Sequence, residues 1–230
     1  MTDSLKTTPL HAEHVALGAR MVDFAGWHMP VQYAGIIEEH VAVRSSAGIF
    51  DVSHMGEFRV FGPGAKAALQ GIVTNDLDRI DAIGHALYTV MCDEDGGIID
   101  DLIVYHTGDL EYLIVVNAAN LETDWAWFTE HLPADVEAAD ESGRTALIAV
   151  QGPRAIGIVS ELAGDGWEAP GRFTIAEATL DGIPVLAART GYTGEDGVEL
   201  FCHTSQAPAV WSLLLSFPEI TPCGLGARDT

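Results

Sequence analysis

The sequence predicts an α+β fold made of antiparallel sheets with packed helices. Short apolar, β-branched segments follow one another closely and are separated by tight turn signals, which is typical of hairpins and meanders. Single helical patterns interrupt these runs, but few of them have the placement of crossover helices that join parallel strands. Strands in groups, with helices between the groups, indicate α+β architecture.

Helical periodicity, with apolar residues recurring at three and four positions, marks several segments. The predicted helices cover residues 10–19, 33–46, 62–72, 120–132, 153–162 and 209–217. Pro63 stands in the first turn of one helix and Pro133 stops another. Gly48 occupies the position of a C-terminal cap for the helix over residues 33–46, and Asn120 that of an N-terminal cap.

Alternating or continuous apolar runs bounded by turn residues predict the strands. They cover residues 21–30 with a turn, 57–61, 87–91, 98–106, 112–117, 146–150, 172–180, 185–190 and 198–202. The three strands from residue 87 to residue 117 are joined by short turns at Asp95-Gly96-Gly97 and Gly108-Asp109. We therefore expect these three strands to form an antiparallel meander.

The overall composition predicts a folded protein with a sizeable core. The chain has 230 residues, 48% of them hydrophobic, which suits one large domain or two smaller ones. We expect no membrane span, since no stretch approaches about 20 apolar residues, and no secretory signal at the N-terminus. Cys92, Cys202 and Cys223 are isolated and odd in number, which favours a cytoplasmic location.

The charge balance is strongly acidic. Thirty-four acidic residues face eleven lysines and arginines, for a net charge of −23. Such a surface repels nucleic acid and anionic membranes, so we expect neither as a partner. The apolar content argues against disorder, and the composition predicts a halophilic protein whose self-repulsion is screened by a salty cytoplasm.

Two adjacent carboxylates, Asp100 and Asp101, interrupt the apolar segment that follows Asp95-Gly96-Gly97. Aspartate is depleted in strands. If the segment is extended, the two side chains point to opposite faces and one of them enters apolar surroundings. There it must be paired or change its pKa. In the alternative, the strand begins later and both carboxylates lie in the turn.

Three other patterns are weaker indications of chemistry. Asp51, Ser53 and His54 are the residue types of a hydrolytic triad, but triad members come from separate elements and the chain has no Gly-x-Ser-x-Gly elbow. The glycine-rich segment around Glu195 and Asp196 would repel a phosphate, which leaves a hairpin loop as the simpler interpretation. The histidines are scattered, so we expect no metal site.

Several short segments, in one order along the whole chain, carry a family resemblance. They are Met21-Val22-Asp23-Phe24-Ala25-Gly26-Trp27, Phe50-Asp51-Val52-Ser53-His54-Met55, Gly96-Gly97-Ile98-Ile99-Asp100-Asp101-Leu102, Gln151-Gly152-Pro153, Gly191-Tyr192-Thr193-Gly194-Glu195 and Gly224-Leu225-Gly226-Ala227-Arg228-Asp229. As a set they resemble the aminomethyltransferase, or T-protein, family of the glycine cleavage system. Family members continue well past the arginine of the last segment into a C-terminal β domain, so the resemblance implies a C-terminally truncated chain.

The resemblance implies a tetrahydrofolate-dependent transferase. Members of the family take an aminomethyl group from the lipoyl arm of the H-protein, pass its carbon to tetrahydrofolate and release ammonia. The implied cosubstrate is tetrahydrofolate, the implied partner is the lipoylated H-protein, and no metal is implied. Two alternatives are a folate-dependent demethylase of the sarcosine or dimethylglycine type and a non-catalytic folate-binding homologue. Non-catalytic homologues lack the paired Asp that this chain has.

The same resemblance implies roles for individual residues. Asp101 is the catalytic carboxylate, which contacts the pterin and assists attack by the folate nitrogen. The implied pterin-pocket residues are Met55, Tyr88, Val115, Asn117 and Tyr192. Glu199 is a folate-binding acid, and Arg228 pairs with the carboxylate of the folate tail. These residue types suit a folate. A carboxylate can accept two hydrogen bonds from neighbouring N–H groups of the pterin, and a guanidinium can donate two parallel hydrogen bonds to a carboxylate.

The resemblance also implies a domain arrangement, with three domains around a central folate cavity. We expect a first, discontinuous folate-binding domain from residues 1–50 and 139–230, and an inserted α+β domain at 51–138 that carries the Asp pair. The C-terminal β domain is expected to be absent. Folate is then expected where the two present domains meet, since ligands commonly bind at domain boundaries.

The net charge of −23 predicts that added salt stabilises the folded chain. Repulsion among the acidic side chains weakens as the Debye length falls from about 10 Å at 0.1 M to about 3 Å at 1 M salt. We expect the melting temperature, followed by circular dichroism, to rise with KCl over that range. A melting temperature that stays constant or falls would contradict the predicted salt adaptation.

Overall fold

The computed structural model describes residues 4–230, which form two compact units. Unit 1 contains the described residues up to His54 together with Thr145–Arg172 and Ala176–Thr230. Unit 2 contains Met55–Arg144 and the short segment Phe173–Ile175. Within residues 4–230, no helix is both long enough and apolar enough to cross a membrane.

The strands follow one another in groups of one to three, with helices between the groups. The strands are β1 Arg20–Phe24, β2 Trp27–Gln32, β3 Ala47–Asp51, β4 Gly56–Phe61, β5 Ala86–Cys92, β6 Ile98–Gly108, β7 Glu111–Val116, β8 Glu137–Asp140, β9 Thr145–Gln151, β10 Ile175–Leu180, β11 Ile183–Ala188, β12 Gly197–His203 and β13 Ile220–Pro222. The helices are α1 His11–Ala16, α2 Ile36–Ser45, α3 Ala65–Ile72, α4 Leu121–His131, α5 Ala155–Ala163, α6 Ala207–Leu215 and α7 Leu225–Arg228, with 3-10 turns at Leu77–Ile80 and Thr204–Gln206.

Unit 1 is built on a six-stranded sheet with the order β10-β11-β12-β9-β3-β13. The pairs β11/β12, β12/β9 and β9/β3 are antiparallel, whereas β3/β13 is parallel. Helices α5 and α6 pack on one face, where Trp211 and Val159 meet the strand residues Ile148 and Leu200 in a continuous apolar core. By strand alternation, Glu199 points away from this core to the opposite face.

Unit 2 is built on a five-stranded sheet with the order β5-β6-β7-β4-β8, and its paired neighbours are antiparallel. The predicted meander of β5, β6 and β7 is confirmed. Helices α3 and α4 cover one face, where Leu69 and Phe128 pack on Leu102, Ile114 and Phe58. The side of β6 that faces these helices is therefore the side of Leu102.

The observed elements differ from the predicted ones mainly at short or edge positions. Gly48 lies inside β3 and is not a helix cap, because the chain leaves α2 at Ser46 and pairs at once with β9. Strand β8 is a short, acidic edge strand, and β13 and α7 contain three and four residues. Elements this short have no periodicity from which they could be predicted.

The two units divide the chain at positions later than the predicted domain boundaries. Residues 51–54 lie in unit 1, where the Val52 amide donates a hydrogen bond to the Leu147 carbonyl (3.0 Å). Residues 139–144 lie in unit 2, because β8 pairs with β4. Strand pairing explains both positions.

The start of α7 is packed against β2 without space for a side chain. A Cβ at Gly224 would overlap the backbone carbonyl group of Val31. We expect Gly224→Ala to lower the free energy of unfolding by about 1–3 kcal/mol, because backbone atoms cannot rotate away from the added methyl group. Urea denaturation would measure the change.

Gly157→Ala is the matched control for this substitution. Gly157 lies inside α5, and a Cβ there would meet no heavy atom within 4 Å apart from its chain neighbours and the backbone of its own helix. The same added methyl group should therefore be neutral or should stabilise the protein by about 0.4–1 kcal/mol. Equal changes in the two variants would contradict the packing described for α7.

Candidate functional site

The aspartate pair lies inside a strand. Because β6 begins at Ile98, both carboxylates are extended and point to opposite faces of the sheet, and the alternative that placed them in a turn is wrong. Asp100 faces the helices and is only 4% exposed. Asp101 lies on the other face and is exposed. The pair thus separates into one interior and one accessible carboxylate.

The buried Asp100 carboxylate is held by several donors. Its Oδ2 accepts a hydrogen bond from the backbone N–H of Asn117 at 3.0 Å. Its Oδ1 accepts from Asn117 Nδ2 at 2.9 Å and from Asn120 Nδ2 at 2.8 Å. Asn120 stands at the N-cap position of α4, but its side chain makes no capping bond and is used for Asp100 instead.

Asp124 completes this cluster from the next turn of α4. Its side chain is fully buried, and neither of its oxygens receives a hydrogen bond from a donor group in residues 4–230. Burial, and then the adjacent Asp100 carboxylate, raise the pKa of Asp124 to about 8. Asp124 is therefore mostly protonated at neutral pH and donates its O–H to Asp100, which explains the absence of other donors.

The accessible carboxylate, Asp101, is positioned by two side chains. Tyr88 on β5 donates its hydroxyl to Asp101 Oδ2 at 3.0 Å, and Asn117 Nδ2 donates to Asp101 Oδ1 at 3.2 Å. Asn117 Nδ2 also lies 3.0 Å from the Asp101 carbonyl oxygen. One asparagine thus connects the interior carboxylate to the exposed one, and the predicted residues Tyr88, Asp101 and Asn117 are brought together.

Two further predicted residues belong to unit 2. Val115 is buried on β7, where it pairs with Ile103 of β6. Met55 is half-buried and is the first residue of the unit. Neither has chemistry of its own, and both can serve only as apolar walls.

In unit 1 the predicted residues Tyr192, Glu199 and Arg228 form a second group. The Arg228 guanidinium lies over the Tyr192 ring, 5.2 Å from its centroid. Burial lowers the pKa of Arg228, and the charge of Glu199 opposes this effect. Glu199 is buried on β12, where its Oε2 accepts the hydroxyl of Thr190 at 2.6 Å. Among residues 4–230, no carboxylate lies within 4.0 Å of the Arg228 guanidinium.

A cavity of about 220 Å³ opens beside this arginine. It is lined by Val22, Phe24, Val31, Tyr192, Leu225, Gly226, Arg228 and Asp229. The ring of His54 stands edge-on to Phe24 at 5.4 Å, and burial lowers its pKa to about 4, so this imidazole is neutral at pH 7. The cavity therefore has mainly apolar walls and two charged members, the exposed Asp229 and Arg228, whose guanidinium has no ion-pair partner in the described chain.

The sequence interpretation missed residues in both groups. Asn120 was expected only as a cap, and Asp124 was not singled out, although their spacing places both on one side of α4. The cavity walls Val22, Phe24 and Val31 come from the β1–β2 hairpin, nearly the whole chain length before Arg228. No local signal connects such distant residues.

The structure excludes a hydrolytic triad at residues 51–54. Asp51 accepts hydrogen bonds from the Thr8 hydroxyl at 2.6 Å and from His14 Nε2 at 2.8 Å. The Ser53 hydroxyl donates to the Leu147 carbonyl and does not bond His54. Asp51 is thus part of a buried structural network. In the described residues, no group of three or more His, Cys, Asp or Glu side chains could hold a metal ion.

Comparison with known proteins identifies a family for this chain. Residues 10–230 match the family model of the GCVT N-terminal domain. An aminomethyltransferase of Geobacillus kaustophilus is 48% identical over 98% of this chain and 63% of its own length. The glycine cleavage system aminomethyltransferase T of Bartonella henselae superposes with a TM-score of 0.89 at 33% identity, over 98% of this chain and 61% of that structure.

A more distant structure shares only the fold. The heterotetrameric sarcosine oxidase of Corynebacterium sp. U-96 superposes with a TM-score of 0.55 at 18% identity, over 79% of this chain and 89% of that chain. The present chain spans less than two thirds of the length of the two aminomethyltransferases above.

Because Asp124 is protonated in the folded state, we expect the free energy of unfolding to depend on pH. Its folded pKa, about 8, lies above the ordinary value of 3.8. Between these values the folded state binds a proton that the unfolded state lacks, so the free energy of unfolding falls as pH rises. Asp124→Asn keeps an N–H donor for Asp100 at every pH. We expect its stability relative to wild type to increase from pH 5 to pH 8, by at most about 1.4 kcal/mol per pH unit.

The measurement is chemical denaturation of both proteins across this pH range. Glu130→Gln is the control, because it makes the same carboxyl-to-amide change at an exposed position of the same helix. Parallel curves for Asp124→Asn and wild type would show that Asp124 is ionised in the folded protein.

Proposed function

Because the chain belongs to the GCVT N-terminal domain family, we propose that it is the folate-binding part of a tetrahydrofolate-dependent aminomethyltransferase. In this proposal, the methylene carbon of an aminomethyl-lipoyl group on an H-protein passes to tetrahydrofolate, and ammonia is released. The names of the two similar aminomethyltransferases support the reaction class.

The observation that carries the proposal is the placement of Asp101. Each of its oxygens accepts one hydrogen bond from the protein, and a carboxylate oxygen has room for two. Asp101 therefore keeps acceptor capacity for the N–H donors of a pterin edge while Tyr88 and Asn117 hold its orientation. A carboxylate beside a reacting nitrogen also stabilises positive charge that develops during attack and can accept the proton that is lost.

We assign Asp100, Asn120 and Asp124 to positioning rather than chemistry. Asn120 and Asp124 contact Asp100, and Asp100 accepts hydrogen bonds from Asn117. Asn117 in turn donates to Asp101. A site is precise when its supporting contacts lock the functional side chain. The hydrogen bonds around the interior carboxylate supply that support.

In unit 1, we propose that Arg228 pairs with the carboxylate of a folate tail. Its guanidinium is partly buried, lines the cavity beside Tyr192 and has no carboxylate partner in the described residues. A planar fork of N–H donors matches a carboxylate in geometry and charge. Glu199 uses Oε2 for Thr190, which leaves Oε1 as an acceptor for a donor group of the ligand.

We also propose a partner and a cellular location. The lipoylated H-protein as partner is supported by the glycine cleavage name of the Bartonella henselae structure. A cytoplasmic location is supported by Cys92, Cys202 and Cys223, which are all free thiols. Halophilic adaptation stays a prediction from the charge balance.

The assignment of Asp101 predicts a separation of turnover from binding. Asp101→Asn keeps the shape of the side chain but removes its charge and its ability to accept a proton. We expect the rate of 5,10-methylenetetrahydrofolate formation from aminomethylated H-protein to fall by about 10²-fold or more. Tetrahydrofolate affinity, measured by fluorescence titration, should stay within about tenfold of wild type.

Asp95→Asn is the matched control, because Asp95 lies in the exposed turn before β6 and carries the same charge. It should change neither quantity. Asp100→Asn tests which of the two carboxylates is catalytic. We expect this substitution to lower mainly the stability of the protein. If folded Asp100→Asn lost more turnover than Asp101→Asn, the catalytic role would belong to the other carboxylate. If the wild-type chain bound no tetrahydrofolate, the proposed function would be wrong.

A further inference from the structure

The segment Gln151-Gly152-Pro153 has no role in the sites described above. Gln151 is the last residue of β9, the strand that lies between β12 and β3 in the sheet of unit 1. Its side chain is polar, yet the residue is only 1% exposed. Buried polar groups in folded proteins are nearly always hydrogen-bonded, so the partners of the Gln151 amide indicate what it holds in place.

The nitrogen end of the Gln151 amide faces backbone carbonyls. Nε2 donates to the carbonyl of Thr190 at 3.1 Å and to that of Val150 at 3.3 Å. Because a carbonyl oxygen only accepts hydrogen bonds, these contacts fix which end of the amide is the nitrogen. Oε1 is then the acceptor end, and it receives the hydroxyl of Thr193 at 3.0 Å.

One amide thus binds both ends of a short segment of the β11–β12 loop. Thr190 and Thr193 flank Gly191 and Tyr192, and the two hydrogen bonds hold this segment against β9. Gly191 permits the close approach, since a Cβ there would overlap the Gln151 amide. Tyr192 is 69% exposed, so burial in the core does not orient its ring.

Other contacts of the loop lie on either side of this segment. Arg189 pairs with Asp196 at 2.6 Å, at the base of the loop. Arg44, from α2, pairs with Glu195 at 3.0 Å. Both ion pairs involve loop residues outside positions 190–193. The amide on β9, in contrast, bonds residues of the segment itself.

The segment carries two contacts of the candidate site at Arg228. The Tyr192 ring lies under the Arg228 guanidinium, 5.2 Å from centroid to Cζ. The Thr190 hydroxyl donates to Glu199 Oε2 at 2.6 Å. A shift of the segment would therefore move the ring against Arg228 and the donor to Glu199 together.

We propose that Gln151 is a positioning residue for the ligand site at Arg228, because it holds the Tyr192 segment in place before a ligand arrives. A preorganised site loses less conformational freedom on binding, which favours affinity. This inference rests on the proposed function, since it takes the tail of a folate, an aromatic amide that ends in carboxylates, as the ligand of the site.

The first measurement needs no ligand. Protons that lie over the face of an aromatic ring have upfield NMR shifts, so the side-chain protons of Arg228 report the position of the Tyr192 ring. Thr193→Val keeps the shape of the side chain and removes its hydroxyl. We expect the upfield shift of Arg228 to be largely lost in Thr193→Val and retained in Thr193→Ser, which keeps the donor for Gln151.

The second measurement treats the two halves of a folate separately. Fluorescence titrations use tetrahydrofolate, p-aminobenzoylglutamate as a tail probe and 6-methyltetrahydropterin as a pterin probe. We expect Thr193→Val to weaken binding of tetrahydrofolate and of the tail probe by about three- to tenfold, as when one more side chain must be ordered on binding. Binding of the pterin probe should be unchanged, and Thr193→Ser should restore binding of the tail probe.

Gln151→Met removes both ends of the amide and should have the larger effect on the Arg228 shift and on tail affinity. Gln70→Met is the matched control, because the Gln70 amide also bridges two backbone groups. Its Nε2 donates to the Asn75 carbonyl at 3.0 Å, and its Oε1 accepts the Leu77 N–H at 2.8 Å, both in unit 2. This control should change neither quantity.

The Thr193 variants decide the question even if Gln151→Met does not fold. Unchanged tail affinity in folded Thr193→Val, with or without loss of the Arg228 shift, would overturn the positioning role and leave the proposed function intact. Equal weakening of the tail and pterin probes would also overturn it, because it would show a general loss of structure. If the wild-type chain bound neither tetrahydrofolate nor the tail probe, the proposed function would be wrong and this inference would fail with it.

Discussion

The hydrogen bonds to the Asp100 carboxylate determine how the candidate site in unit 2 is built. An ionised carboxyl group without partners in an apolar layer would cost several kcal/mol. Donors must therefore come from the end of β7 and the start of α4, and they bring these two elements to a fixed position beside β6. Asn117 serves both carboxylates, so the geometry that satisfies the interior charge also sets the geometry at Asp101.

Unit 1 follows the same principle with a different carboxylate. Glu39 on α2 is fully buried and accepts hydrogen bonds from the backbone N–H groups of Tyr33, Gly35 and Gly224, at 2.6, 3.0 and 2.7 Å. Gly224 immediately precedes α7, the helix that carries Arg228. A buried acceptor thus locates the short helix that presents the candidate anion-binding group, which four residues of helix could not do alone.

The sequence predicted the strand that carries the Asp pair and the opposite orientation of its two side chains, because alternation in a strand is local. It did not decide from the residues which carboxylate is buried, since Ile99 and Ile103 make one face as apolar as Leu102 and Val104 make the other. The positions of α3 and α4 decide it. The Arg228 cavity was beyond prediction for the same reason, since its walls come from distant segments.

The discontinuous course of unit 1 has a consequence for the order of folding. Its sheet pairs β3 with β9, with Phe50 opposite Ala149, about a hundred residues later. Unit 2 lies almost entirely between these strands and is nearly contiguous in sequence. During synthesis the meander of unit 2 can form from neighbouring hairpins. Strand β3 cannot pair until β9, which is synthesised about a hundred residues later, has left the ribosome. The slow step of folding is therefore the closure of the long β3–β9 loop, and the exposed edge of β3 before that closure is the stage most open to aggregation.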